Sequence, residues 1–140
     1  DALDRRAHGW CHGAPGILVG EQIRQIHGQQ DREETIDALA ALVSDECFDL
    51  NLSLCHGDTG NLVILQQTAR LRNNSSLRDT TQRMFGQLAE QIIPQKLAKR
   101  NAKTLLNDSL MVGLPGVGYG LLQLEANGAL PDLFTYGLIQ

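Results

Sequence analysis

The chain is short of aromatic residues, of cysteines and of long apolar runs, and each shortage excludes something. Only 4% of its 140 residues are aromatic against 42% hydrophobic, the aliphatic balance of a helix-rich globular protein with one ordinary core. No uninterrupted apolar stretch approaches the roughly eighteen residues of a membrane span. Positive charge is not in excess either. A net charge of −4 gives no basis for nucleic-acid binding, which is led by phosphate neutralisation. Three cysteines, an odd number, do not describe a disulfide framework, so a reducing, cytoplasmic interior is expected, with thiols used for metal or chemistry. The chain starts at Asp1 rather than Met, and Asp4, Arg5 and Arg6 follow where a signal peptide would need apolar residues. It is expected to be a piece of a longer chain. Strand-type alternation is nowhere sustained.

What the sequence does contain is a repeat. "WCHGAPG" (residues 10–16) and "LCHGDTG" (residues 54–60) place Cys-His-Gly, two further residues and a second Gly in the same frame. Two of the 3 cysteines and two of the 4 histidines fall in these two segments. A third Gly-x-x-Gly frame stands at Gly113 and Gly116. Each frame leads into a densely apolar segment: "ILVGEQI" from Ile17, "LVILQQTARL" from Leu62 and "VGYGLLQL" from Val117.

Amphipathic segments separate the frames. Ile36, Leu39, Ala40 and Val43 fall at i, i+3, i+4 and i+7, one face of a helix. Met84, Phe85, Leu88 and Ile92 form a second such stripe, closed by Pro94. "HGQQD" (27–31) and "RNNSS" (72–76) have turn composition. The order is therefore Gly-rich turn, buried helix, loop, amphipathic helix, repeated with a period of about 40–50 residues, as in helical repeats. Such units stack into a solenoid or close into a ring of inner and outer helices. In a ring, turns at the same end of every inner helix converge on one mouth.

Thiolate and neutral imidazole are the usual zinc ligands, and Cys₂His with an open fourth position is a catalytic coordination. Cys55 and His56 sit in one turn and Cys11 in the other. Their spacing fits no zinc finger and requires tertiary closure. The competing reading makes Cys11 and Cys55 small buried apolar residues and the histidines helix caps.

"GWCHGAPGI" (9–17), "SLCHGDTGNL" (53–62) and "SLMVGLPGVGYGLL" (109–122) together resemble the lanthionine synthetase C-like family, and most closely the C-terminal cyclase domain of class II lanthipeptide synthetases. The resemblance implies an all-α fold, part of an α/α toroid with zinc at the mouth of its inner barrel. Residues 1–140 would be the C-terminal portion of that domain, without its upstream part and inactive in isolation. Cys11, Cys55 and His56 would be the zinc ligands. Members add a peptide cysteine to dehydroalanine or dehydrobutyrine, forming lanthionine or methyllanthionine. The implied partners are a dehydrated precursor peptide and an upstream dehydratase domain, with no nucleic acid and no membrane span. A thiol on the metal loses its proton near neutral pH. Two protein thiolates already offset the +2 ion, so a substrate thiolate stays electron-rich. The enolate formed on addition needs a proton, and the family's residues for that step lie upstream of the Trp-Cys motif. Two alternatives remain: a LanC-like protein adding glutathione to dehydrated residues in proteins, and a peptide-binding module with structural zinc.

Other residues carry weaker expectations. His12 either lines the site or faces solvent. Asp58, Thr59 and Asn61 stand where a helix start needs capping, and Asn61 is also a candidate to orient His56 from the second shell. Cys47 reads as a buried apolar residue, His8 and His27 as surface histidines. Lys96, Lys99, Arg100 and Lys103 read as a solvated helix face.

Overall fold

A computed structural model describes residues 8–29, 32–92 and 108–135. These hold five α-helices and no strand: α1 (Ala14–Ile26), α2 (Glu33–Glu46), α3 (Asp58–Leu71), α4 (Ser75–Ile92) and α5 (Leu114–Ala126). The all-α class expected from the sequence is what the described residues form. Pro94 and the basic run from Lys96 to Lys103 lie outside them.

Each Gly-x-x-Gly frame starts a helix. Gly13, Gly57 and Gly113 are the N-cap residues of α1, α3 and α5, all in extended backbone. The second glycine of each frame sits in the first helical turn, where the chain folds back on itself. A Cβ at Gly16, Gly60 or Gly116 would collide with the carbonyl oxygen of Trp10, Leu54 or Leu110, respectively. The same close approach recurs three times, so the three turns are copies of one backbone design.

The sequence stripes land where periodicity puts them. Ile36, Ala40 and Val43 of α2 are buried with Leu39 packed beside them, and Leu88 of α4 is buried with Met84, Phe85 and Ile92 against it. Leu18, Ile36, Leu54, Ile64 and Leu65 are fully enclosed, each contributing about 1.5–3 kcal/mol.

α3 packs against all four other helices and is buried continuously from Asp58 to Ala69. α1 and α5, expected to be surrounded in the same way, are not. Ile17 of α1 is 57% exposed and Leu122 of α5 is 59% exposed. The reason is position, since α3 lies between them and each keeps a face that no other described element covers. Between α1 and α3 the buried Gln22 amide donates to the Thr68 hydroxyl. A buried polar bond of this kind holds two otherwise slippery apolar helices in one register, and it thereby sets the relative height of the turns that begin them.

Candidate metal centre

The three turns are joined by their backbones at equivalent positions. Cys11 N–H donates to the Cys55 carbonyl at 3.4 Å, and Cys55 N–H to the Met111 carbonyl at 2.9 Å. Cys11, Cys55 and Met111 each stand two residues before the N-cap glycine of their frame. Side-by-side turns thus bring together residues that are far apart in sequence, and this is what the repeated motif accomplishes.

Cys11 Sγ, Cys55 Sγ and one ring nitrogen of His56 all lie within 4.8 Å of one another. Donors held about 2.0–2.3 Å from a tetrahedral ion stand about 3.4–3.8 Å apart, so a small contraction of this cluster fits zinc. Two thiols and an imidazole are also the donor chemistry that zinc selects. Cys11 is exposed, whereas Cys55 and His56 are half-buried, so the cluster has a solvent side. Burial pushes the Cys55 thiol up to about 11 from an ordinary 9.0, helped by its hydrogen bond with the Cys11 thiol and by the charge of Cys11. A cation between the two sulfurs reverses that trend, because the thiolate is the form that binds it.

The turn that presents Cys55 and His56 is built by residues the sequence reading passed over. Asn51 accepts from Ser53 N–H at 2.7 Å through its side-chain oxygen, donates to the His56 carbonyl at 3.3 Å, and its own carbonyl accepts from Asp58 N–H at 2.7 Å. Ser53 Oγ accepts from His56 N–H at 3.3 Å. The signal for these roles was available: Asn and Ser two residues apart, directly before a Gly-bounded turn, are Asx-turn composition. On the other side, Gly9 backs onto His56. A Cβ there would stand 2.7 Å from His56 Cβ.

Asp58, Thr59 and Asn61 do not cap α3 with their side chains, because the N-cap is Gly57 and these residues already lie inside the helix. Asp58 accepts from Leu50 N–H at 3.0 Å. The Asn61 amide donates to the carbonyls of His8 (2.8 Å) and Cys47 (2.6 Å). With both hydrogens so placed, Asn61 braces the strand of chain entering the Cys11 turn, and its influence on the cluster runs through that backbone rather than through the His56 ring. His12 Nδ1 is 2.9 Å from Cys11 Sγ, and its ring centroid is 6.5 Å from that of His56, so His12 lies beside the cluster at its exposed edge. His27 is exposed at the C-cap of α1, and His8 is half-buried. Cys47 is 1% exposed and burial, then the Glu46 charge, holds its thiol near 11.

A groove of about 1030 Å³ opens beside Cys11 and His12 and runs over Trp10, Ile17, Leu39 and Leu42. Trp10 is steadied from behind by Phe134, ring centroids 5.2 Å apart. Phe134 gets there because the chain after α5 turns back along it, with Tyr119 Oη and Gln123 Nε2 donating to the Pro131 carbonyl at 2.8 and 2.9 Å.

No curated protein and no solved structure matches the chain. A family model does, across nearly its whole length. The three glycine-framed turns, the cysteines and histidine they gather and the match over residues 2–135 agree: the chain belongs to the lanthionine synthetase C-like protein family.

Proposed function

We propose that the protein is a zinc-dependent lanthipeptide cyclase and that Cys11, Cys55 and His56 hold the metal. The observation that carries this reading is the meeting of three ligand atoms from two equivalent turns, with the solvent side left open at Cys11. Family membership supports lanthionine-synthetase-type chemistry. The side-by-side packing of three turn–helix units supports the wider α/α toroid, of which residues 1–140 would form the C-terminal portion.

A zinc ion held by Cys11, Cys55 and His56 would supply Lewis acidity toward an incoming peptide thiol. Cys11 and Cys55 as anionic ligands would offset the charge of the ion, as two neutral histidines in their place would not. The chain's own residues do the positioning. Asn51 and Ser53 fix the Cys55–His56 turn, Asn61 fixes the approach to Cys11, and the apolar groove beside Cys11 seats the peptide backbone next to the reacting sulfur. In the reaction, the sulfur bonds to the β-carbon of dehydroalanine or dehydrobutyrine. The alkene electron pair moves to the α-carbon, which then takes a proton, and nothing is lost overall. The substrate is a dehydrated precursor peptide, and a dehydratase domain is the partner that supplies it.

The test is Cys11→Ala in the intact protein, given dehydrated peptide. Mass spectrometry before and after a thiol-alkylating reagent counts dehydrated sites and free thiols separately, which matters because ring closure changes no mass. Initial rates are compared, since a thiol near a dehydrated residue closes some rings unaided. Loss of enzyme-dependent closure with dehydration intact is the expected result. Parental rates and the same rings would remove Cys11 from the mechanism.

A further inference from the structure

We propose that Cys11 and Cys55 are a redox-modification pair: in the metal-free protein, a small organic disulfide converts them into a Cys11–Cys55 disulfide that abolishes metal uptake until it is reduced. The consequence for activity rests on the cyclase reading above, whereas the disulfide itself does not.

Geometry supplies the argument. The 3.4 Å contact between Cys11 N and Cys55 O keeps the two Cα atoms within about 7 Å, the outer span of a disulfide. Their sulfurs belong to a cluster no wider than 4.8 Å. Exposure is graded. Cys11 is exposed, Cys55 half-buried and Cys47 buried, so an oxidant in solution meets Cys11 first and Cys55 is the nearest thiol to complete the exchange. An ion held by both sulfurs opposes the bridging step, because the two sulfurs cannot bond to each other while both ligate it. Its departure leaves two thiols side by side with nothing between them.

The exchange balances in two steps. Cys11 sulfur, having given up its proton, attacks one sulfur of the small disulfide. A protein–S–S–R bond forms and RS⁻ leaves, taking the proton. Cys55 sulfur then attacks Cys11 sulfur, the second RS⁻ leaves, and it takes the proton from Cys55. Two protein thiols are oxidised and one disulfide is reduced to two thiols.

The experiment uses the full protein, stripped of metal with a chelator and treated with 2-hydroxyethyl disulfide. Expected are a loss of two hydrogen masses, a fall of two in the number of alkylatable thiols after unfolding, and a peptide map joining Cys11 to Cys55. Zinc uptake should fall from about one per chain to none and return after reduction. Cys55→Ser should stop at a mixed disulfide on Cys11, and Cys47→Ala should oxidise as the parent does. An unchanged number of alkylatable thiols after treatment, a bridge that includes Cys47, or a disulfide between two chains would each overturn the proposal. None of these readouts needs cyclase activity. A protein that forms the bridge but, once reduced and loaded with zinc, closes no rings would sink the cyclase reading alone.

Discussion

The N–H of Cys55 donates to the carbonyl of Met111 at 2.9 Å, joining the second glycine-framed turn to the third at the position where the first and second turns are also joined. Met111 occupies the register that Cys11 and Cys55 hold in their own turns. Where the first two frames carry Cys-His, the third carries Met-Val, so one turn design serves two copies that bear a thiol and an imidazole and one apolar neighbour. This division of labour leads to four predictions.

The ligand assignment is the most direct. Cys55→Ala should lower zinc content from about one per chain to near none, while Cys47→Ala, whose thiol is buried away from the cluster, should keep its zinc. Metal analysis of the purified proteins decides. Full occupancy in Cys55→Ala would dispose of the assignment.

Turn geometry is tested by glycine. Gly60→Ala drives a methyl group into the Leu54 carbonyl, whereas Gly20 in α1 has open space around the corresponding position. The first change should cost about 2–4 kcal/mol, and the second should stabilise by about 0.5–1 kcal/mol. Urea denaturation measures both. Equal effects would show that the close approach carries no weight.

Support of the ligands is a separate matter from stability. Asn51→Ala removes hydrogen bonds that hold the Cys55–His56 turn, and should weaken zinc binding about 10–100-fold. Asn74→Ala removes a side-chain acceptor for Leu77 N–H at the start of α4. It should cost about 1 kcal/mol and leave zinc affinity unchanged. Competition titration against a chromogenic chelator separates the two, and identical affinities would place Asn51 outside the site's support.

The buried thiols set a pH dependence in the metal-free protein. Cys47 and Cys55 are raised from 9.0 to about 11 in the folded state, chiefly by burial, so the folded state holds protons there that the unfolded chain releases. Stability from this source is present below about pH 9 and falls as pH rises from about 9 to about 11. Denaturation midpoints across that range should decline, and less steeply in Cys47→Ala. A slope unchanged by that substitution would count against buried Cys47 as a source.

Much of the molecule was legible from local pattern. The i, i+3, i+4 spacing of Ile36, Leu39, Ala40 and Val43 identifies the inner face of α2 because helical period alone decides which side chains share a face. The Gly-x-x-Gly frames mark the starts of α1, α3 and α5, since the close approach at Gly16, Gly60 and Gly116 tolerates no side chain. The repeat of Cys-His-Gly picks out Cys11, Cys55 and His56. What pattern did not contain was adjacency. That Cys11 meets Cys55, and Cys55 meets Met111, follows from three helices packing side by side in a register held by buried contacts such as Gln22 on Thr68. The partners of Asn61 are of the same kind: a side chain at a helix start caps or orients its neighbours only if no better acceptor is close, and folding brings the carbonyls of His8 and Cys47 to it. Sequence spacing determines which residues share a helix face or a turn. Which turns become neighbours is decided by the non-local burial of α3, a term that no local stretch of the chain carries.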